Sequence, residues 1–227
     1  MIKTFKVAVL FAMVIGLMSG FAVVEQAHAA DHLLISEVVV QTRPPANVFG
    51  TEFVEIHNPT GSDIDLSNIY MTDATSSTAG SWYWDITEGG GGGGIGGDFH
   101  CKFPIGTILP AGDKLIIAIN GSTEFNSAYA TNPDFELFED GTADAVPEMV
   151  EVFPGSIGYG LGSNGSNIAG SEGYLATSAE TIVLYSWDGV SATVQDIDYF
   201  IWGTSNVPRA DKTAIAGYLP DTSVSLQ

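Results

Sequence analysis

The chain has 227 residues, with 7 Lys and Arg against 27 Asp and Glu, a formal net charge of −20 and a pI near 4.1. A surface this acidic repels phosphate backbones and anionic lipid, so direct nucleic-acid binding is disfavoured, while divalent cations, basic partners or a saline environment suit it. Cys101 is the single cysteine, which excludes an intramolecular disulfide and leaves packing and ladder hydrogen bonds to hold the fold.

The N-terminus reads as an export signal. Lys3 and Lys6 form a basic start, Val7–Gly20 is an almost unbroken apolar run, and Ala27-His28-Ala29 is a small-x-small cleavage site. Cleavage after Ala29 leaves a mature chain of 198 residues, Ala30–Gln227, with 5 basic and 26 acidic side chains. An uncleaved anchor over the 18 residues Val7–Val24 is the rival reading, but it sits at the short edge of a membrane span and is interrupted by Gly16, Ser19 and Gly20. No cysteine near the site indicates a lipoprotein anchor. The expected location is secreted, cell-surface or periplasmic, with no membrane span after cleavage. The mature length suits one enlarged domain.

Short β-rich runs follow, separated by Gly, Pro, Asn and Asp. They are Leu33–Val40, Thr51–Pro59, Ile64–Asp73, Lys114–Ile119 after the turn Pro110–Asp113, and Glu180–Tyr185 before a hairpin signal at Trp187-Asp188-Gly189. Val194–Trp202 alternates, which predicts Ile197, Tyr199 and Ile201 on one face and Asp196 and Asp198 on the other. No segment carries sustained helical periodicity with caps at both ends. The pattern predicts an all-β sandwich.

The order of the first three runs carries more than a fold class. A strand ending in Ser36-Glu37 is followed by Glu52-Phe53-Val54-Glu55-Ile56-His57-Asn58, then Asp65-Leu66-Ser67 and an aromatic, Tyr70, before Asp73. This resembles the lamin tail domain family, as a bacterial secreted member. Phe103–Asp113 is similar to the family's turn into its central strand, and Val194–Trp202 with Asp211-Lys212-Thr213 to its late strand and loop. The resemblance implies an immunoglobulin-like β-sandwich and no catalysis. It also implies a further strand beyond Ser225-Leu226-Gln227, so a C-terminally truncated domain is expected. In nuclear lamins the domain binds protein and chromatin partners; the export signal and charge make that set inapplicable here.

Two segments exceed what a small sandwich of about 100 residues needs. The first, about 74–100, contains Gly89–Gly97, in which only Ile95 is not glycine. It lacks the Gly-Lys-Ser/Thr ending and strand-to-helix frame of a phosphate loop and reads as a tether. The second, 121–179, carries Asp134, Glu136, Glu139, Asp140, Asp144, Glu148 and Glu151, then turns Gly/Ser/Asn-rich over Gly155–Gly173. Both are expected to be surface excursions, where function would concentrate.

Candidate sites lie mostly in these excursions. Flexible acidic loops can supply the 6–8 oxygens calcium takes, which makes Asp134, Glu136, Asp140 and Asp144 candidate Ca²⁺ ligands, although Asp140-Gly141-Thr142-Ala143-Asp144 is not an EF-hand. Asp63 with Asp65, and Asp196 with Asp198, are same-face pairs that either chelate or simply face water. Trp82 and Trp84, which share a face if Trp82-Tyr83-Trp84 is extended, are candidate stacking surfaces for sugars unless one fills the core. His100-Cys101 invites a nucleophile reading, but His32 and His57 complete no metal or catalytic set, and Gly160–Gly165 is no nucleophile elbow.

These readings predict an exported non-catalytic interaction or structural module whose loops contact an extracellular protein or glycan. The alternatives are an accessory domain of an extracellular hydrolase or nuclease lying beyond Gln227, and a calcium-dependent glycan-binding module.

Overall fold

A computed structural model describes residues 30–40, 52–74, 82–89, 98–139, 144–157, 175, 179–203 and 216–217. The expected signal peptide, most of the glycine run and Asp140 lie outside the described residues.

The strands are β1 (Leu34–Val39), β2 (Phe53–His57), β3 (Ile64–Asp65), β4 (Ile69–Thr72), β5 (His100–Lys102), β6 (Ile108–Leu109), β7 (Lys114–Ala118), β8 (Phe135–Glu136), β9 (Val150–Glu151), β10 (Ala179–Ser186) and β11 (Gln195–Gly203). A 3₁₀ helix, Tyr83–Glu88, precedes β5, and an α-helix, α1 (Ser122–Tyr129), follows β7. One sheet has the order β1-β2-β7-β8, antiparallel except for the β7/β8 pair; a second runs β11-β10-β4-β5-β9, antiparallel throughout. β3 and β6 form a small antiparallel ribbon. This is the all-β, immunoglobulin-like sandwich that the strand pattern predicts.

The core lies between the sheets. Val54 and Ile56 of β2 and Leu115 and Ile117 of β7 come from one side. Met71 of β4, Cys101 of β5, and Ile182 and Leu184 of β10 meet them from the other. Strands facing water on one side would alternate, yet β7 and β10 are nearly continuous apolar runs. The reason is that both are covered on the outside too. Val183 and Tyr185 of β10 join Tyr70 in a second cluster with Tyr83, Trp84 and Ile86 of the 3₁₀ helix. Ala118 of β7 joins Phe53 and Phe125 of α1 in a third. Burial of each such large side chain stabilises the fold by roughly 2–3 kcal/mol, so the two inserts are structural as well as superficial.

That corrects the reading of both inserts as surface excursions. The first delivers Tyr83, Trp84 and Phe99 to the interior; the second delivers Phe125, Leu137, Phe138, Met149 and Ile157, all at most 4% exposed. Helix α1 escapes periodicity because it spans only 8 residues and its N-cap, Gly121, offers no side chain. Its apolar contacts come from Phe125 and Tyr129, whose rings lie 5.7 and 5.5 Å from that of Phe53 in edge-to-face geometry.

The alternation expected along β11 is broken by a bulge. Leu184 pairs with Asp198 but Tyr185 pairs with Asp196, leaving Ile197 as the extra residue. Ile197 therefore packs on the inter-sheet core and Tyr199 on the outer cluster, and the two aspartates take different partners. Tyr83 donates its hydroxyl to Asp196 at 2.8 Å, while Asp198 accepts the Ile35 amide at 2.7 Å and ties β1 to β11 across the sandwich edge.

Candidate functional site

The motif residues of the opening strands serve the scaffold. Asn58 is fully buried. Its amide nitrogen donates to the carbonyls of Ser62, Leu109 and Pro110 at 2.9–3.0 Å, and its oxygen accepts from the amide and hydroxyl of Thr60. One side chain thus staples the β2–β3 turn to the β6–β7 turn. Asp65 accepts the Ser67 amide and hydroxyl in an Asx turn, and Asp63 accepts the Ala111 amide. Neither aspartate of that pair is held for chelation.

The acidic insert divides into separate pieces. Asp134 leaves the proposed Ca²⁺ set: its carboxylate accepts the Ile116 amide at 2.8 Å and its own amide donates to the Ile116 carbonyl, which closes the end of the β7/β8 pair. Glu136 is fully buried on β8 and accepts the Ser122 amide at 2.7 Å, supplying the N-terminal cap that Gly121 cannot. Asp144 accepts the Ser122 hydroxyl at 2.6 Å and the Val146 amide at 2.6 Å, and its amide donates to Glu139 at 3.3 Å. The Oε1 atoms of Glu136 and Glu139 are buried with no hydrogen-bond partner. Burial, reinforced by the charges of Glu139 and Asp144, pushes Glu136 up to about 7, whereas the Ser122 hydroxyl and Val146 amide lower Asp144. The structure thus gathers Glu136 and Asp144 with Glu139 at the start of α1.

A second carboxylate cluster has no sequence signature. Asp73 directly follows β4, Asp98 precedes β5 and Glu180 lies in β10, and one carboxylate oxygen from each falls within 4.8 Å of the others. The Phe99 amide donates to Asp73 at 2.5 Å. Burial first, then the charges of Glu180 and Asp98, hold the Asp73 carboxyl well above the usual carboxylate range; burial also raises Asp98. Three carboxylates this close are balanced either by a proton on Asp73 or by a cation. Calcium–oxygen distances of about 2.3–2.6 Å would bridge oxygens with this separation. Of the two clusters, this one has the spacing to hold a divalent ion. The adjacency of β4, β5 and β10 creates it, and no one-dimensional spacing announces that.

The aromatic triplet is not extended. Trp82 precedes the 3₁₀ helix and stacks on Trp84 with centroids 4.5 Å apart, while Trp84 itself is 4% exposed in the outer-face cluster. Helical geometry brings the indoles together, and the apolar face of β4 and β10 takes Trp84 out of reach of a ligand. His100 and Cys101 diverge as strand neighbours must. His100 bonds Tyr185 on the outer side, and Cys101 sits in the inter-sheet core with its thiol toward the Met71 carbonyl. Burial raises the Cys101 thiol well above its usual range, which suits packing and opposes nucleophilic use.

Paired sheets, the capped turns at Asn58 and Asp65 and the covered outer faces define an immunoglobulin-like domain that uses its polar motif residues to build turns. The sequence profile of the lamin tail domain matches residues 26–200, and the chain belongs to that family. It is a non-enzymatic family, and nothing found in the comparisons indicates a catalytic activity. No curated protein matches the chain significantly. Among solved structures it is similar to a DUF4876 family protein from Bacteroides thetaiotaomicron VPI-5482, at 16% identity and a TM-score of 0.45; the alignment covers 74% of this chain and 52% of the other. The chain therefore spans about half the length of that protein.

Proposed function

We propose that the mature chain is an exported, non-catalytic interaction module that contacts an extracellular protein or glycan through its loops. The observation that carries this is the use of the family motif: Asn58, Asp63 and Asp65 bond their own chain, and the chemistry left over sits on hairpins and inserts. Export is tested by N-terminal sequencing of protein secreted from a bacterial host, with Ala30 expected first. Full-length protein retained inside the cell sinks it. The runner-up, an accessory domain of an extracellular hydrolase or nuclease, is decided by the gene beyond the Gln227 codon.

Calcium enters as a second reading through the spacing of Asp73, Asp98 and Glu180. Extracellular modules bind calcium with Kd of about 10⁻⁴–10⁻³ M. At about 5 mM Ca²⁺ such a site stabilises the fold by roughly 1–2 kcal/mol, or about 3–6 °C in melting midpoint relative to EGTA. The gain should vanish in Glu180→Gln. An unchanged wild-type midpoint removes calcium from the reading.

A further inference from the structure

The β10–β11 hairpin carries an open cleft of about 290 Å³ beside Trp187. Its walls are fixed. The Trp187 amide donates to the Asn68 carbonyl at 3.1 Å, anchoring the hairpin to the start of β4, and the indole Nε1 donates to the Ser191 carbonyl at 2.9 Å. The Tyr70 ring supports the indole from behind at 6.3 Å. Asp188 accepts the amides of Val190 and Ser191 with one oxygen and the Ser191 hydroxyl with the other. The hydrogen bonds from Ser191 and Val190 hold its carboxyl down to about 2, so it is an ionised acceptor at every physiological pH and no proton donor. Exposed amides of Asn68 and Gln195 and the hydroxyl of Thr193 complete the lining.

We infer that this cleft is a docking site for a neutral saccharide, with the half-exposed Trp187 ring as its stacking platform and the amides of Asn68 and Gln195 as hydroxyl partners. The inference rests on the interaction-module reading above and names its ligand class. A flat indole takes the C–H face of a sugar ring, and fixed amide and carboxylate groups at its rim match hydroxyls. The volume is at the lower end of small-molecule sites, roughly 300 Å³ and upward, which suits one sugar residue of a longer chain. A net charge of −20 selects neutral sugars over uronates and phosphates. The site also relocates the stacking function expected of Trp82 and Trp84 to a tryptophan that the outer-face packing leaves accessible.

The test uses the mature chain against a panel of neutral hexose and N-acetylhexosamine oligosaccharides, read by saturation-transfer NMR and calorimetry. A panel member should bind the wild type, Trp187→Ala should weaken it at least tenfold, and Asn68→Ala and Gln195→Ala should each weaken it roughly two- to tenfold, the loss of one neutral hydrogen bond. Trp82→Ala should leave affinity unchanged. Asn68 and Gln195 are exposed, so their variants keep the wild-type melting midpoint and decide the matter if Trp187→Ala folds poorly. Wild type binding no sugar, or binding one undiminished in Asn68→Ala and Gln195→Ala, overturns the inference. A wild type that binds an extracellular protein but no sugar overturns the cleft alone; one that binds neither sinks the module reading as well.

Discussion

The two carboxylate clusters present the same electrostatic problem with different materials at hand. At the start of α1, Glu136, Glu139 and Asp144 are interleaved with donors: the Ser122 amide and hydroxyl and the Val146 amide. Charge is spread there, so Glu136 rises while Asp144 falls. At the sheet, Asp73, Asp98 and Glu180 converge within 4.8 Å, and the ladder has already committed most backbone donors. Both described shifts there go upward. A helix terminus brings unused N–H groups to a carboxylate, and a strand end does not. The helix-side cluster is thus self-sufficient, and the sheet cluster calls for a proton or a cation.

The largest expected effect follows from the sign of these shifts. Glu136 is raised from 4.5 to about 7 in the folded state. Its contribution to stability is complete below about 4.5, declines as the unfolded chain ionises, and is lost once pH passes about 7. At about 1.4 kcal/mol per unit the loss is bounded at roughly 3 kcal/mol. Asp73 acts in the same direction. Asp144 and Asp188, both lowered, add stability that disappears on acidification. Urea denaturation should therefore place the stability maximum on the acid side of neutrality. Glu136→Gln keeps an acceptor for Ser122 and should flatten the decline between pH 5 and 8; an unaltered slope removes Glu136 as its source.

Next in size is the sheet cluster. Asp73→Ala strips the acceptor from the buried Phe99 amide and should cost about 2 kcal/mol, the usual penalty of an unsatisfied buried donor. Asp73→Asn keeps an oxygen for that amide while deleting the charge, and at pH 7 should cost less than about 1 kcal/mol. If the two variants prove equally costly in urea unfolding, the negative charge itself is required, and a bound cation replaces the proton as its balance.

How far the sequence discloses each cluster differs for the same reason. The strand pattern and the motif around Asn58 and Asp65 were legible because turns and pleats are local. Glu136 and Asp144 were legible as an acidic segment, since they lie 8 residues apart, but Asp134 was indistinguishable from them until β8 paired with β7. Asp73, Asp98 and Glu180 come together only through the order β10-β4-β5, and a single bulged residue, Ile197, separates Asp196 from Asp198. The cover on the outer faces left its trace as unbroken apolar runs in β7 and β10. What those runs could not say is which segments provide it.

The smallest effect probes whether the helix-side cluster is built on its donors. Ser122→Ala leaves the backbone amide for Glu136 but deletes the hydroxyl bonded to exposed Asp144. The lost bond is solvent-accessible, so unfolding should change by no more than about 0.5–1 kcal/mol. The diagnostic readout is the titration of Asp144, followed by carboxyl chemical shifts. The Ser122 hydroxyl is the main cause of its lowered pKa, which should return toward the ordinary aspartate range in the variant. Glu136 retains its burial and its amide donor and should still titrate near 7. If Asp144 is unmoved, the hydroxyl is incidental, and the contrast with the sheet cluster must rest on the α1 backbone alone.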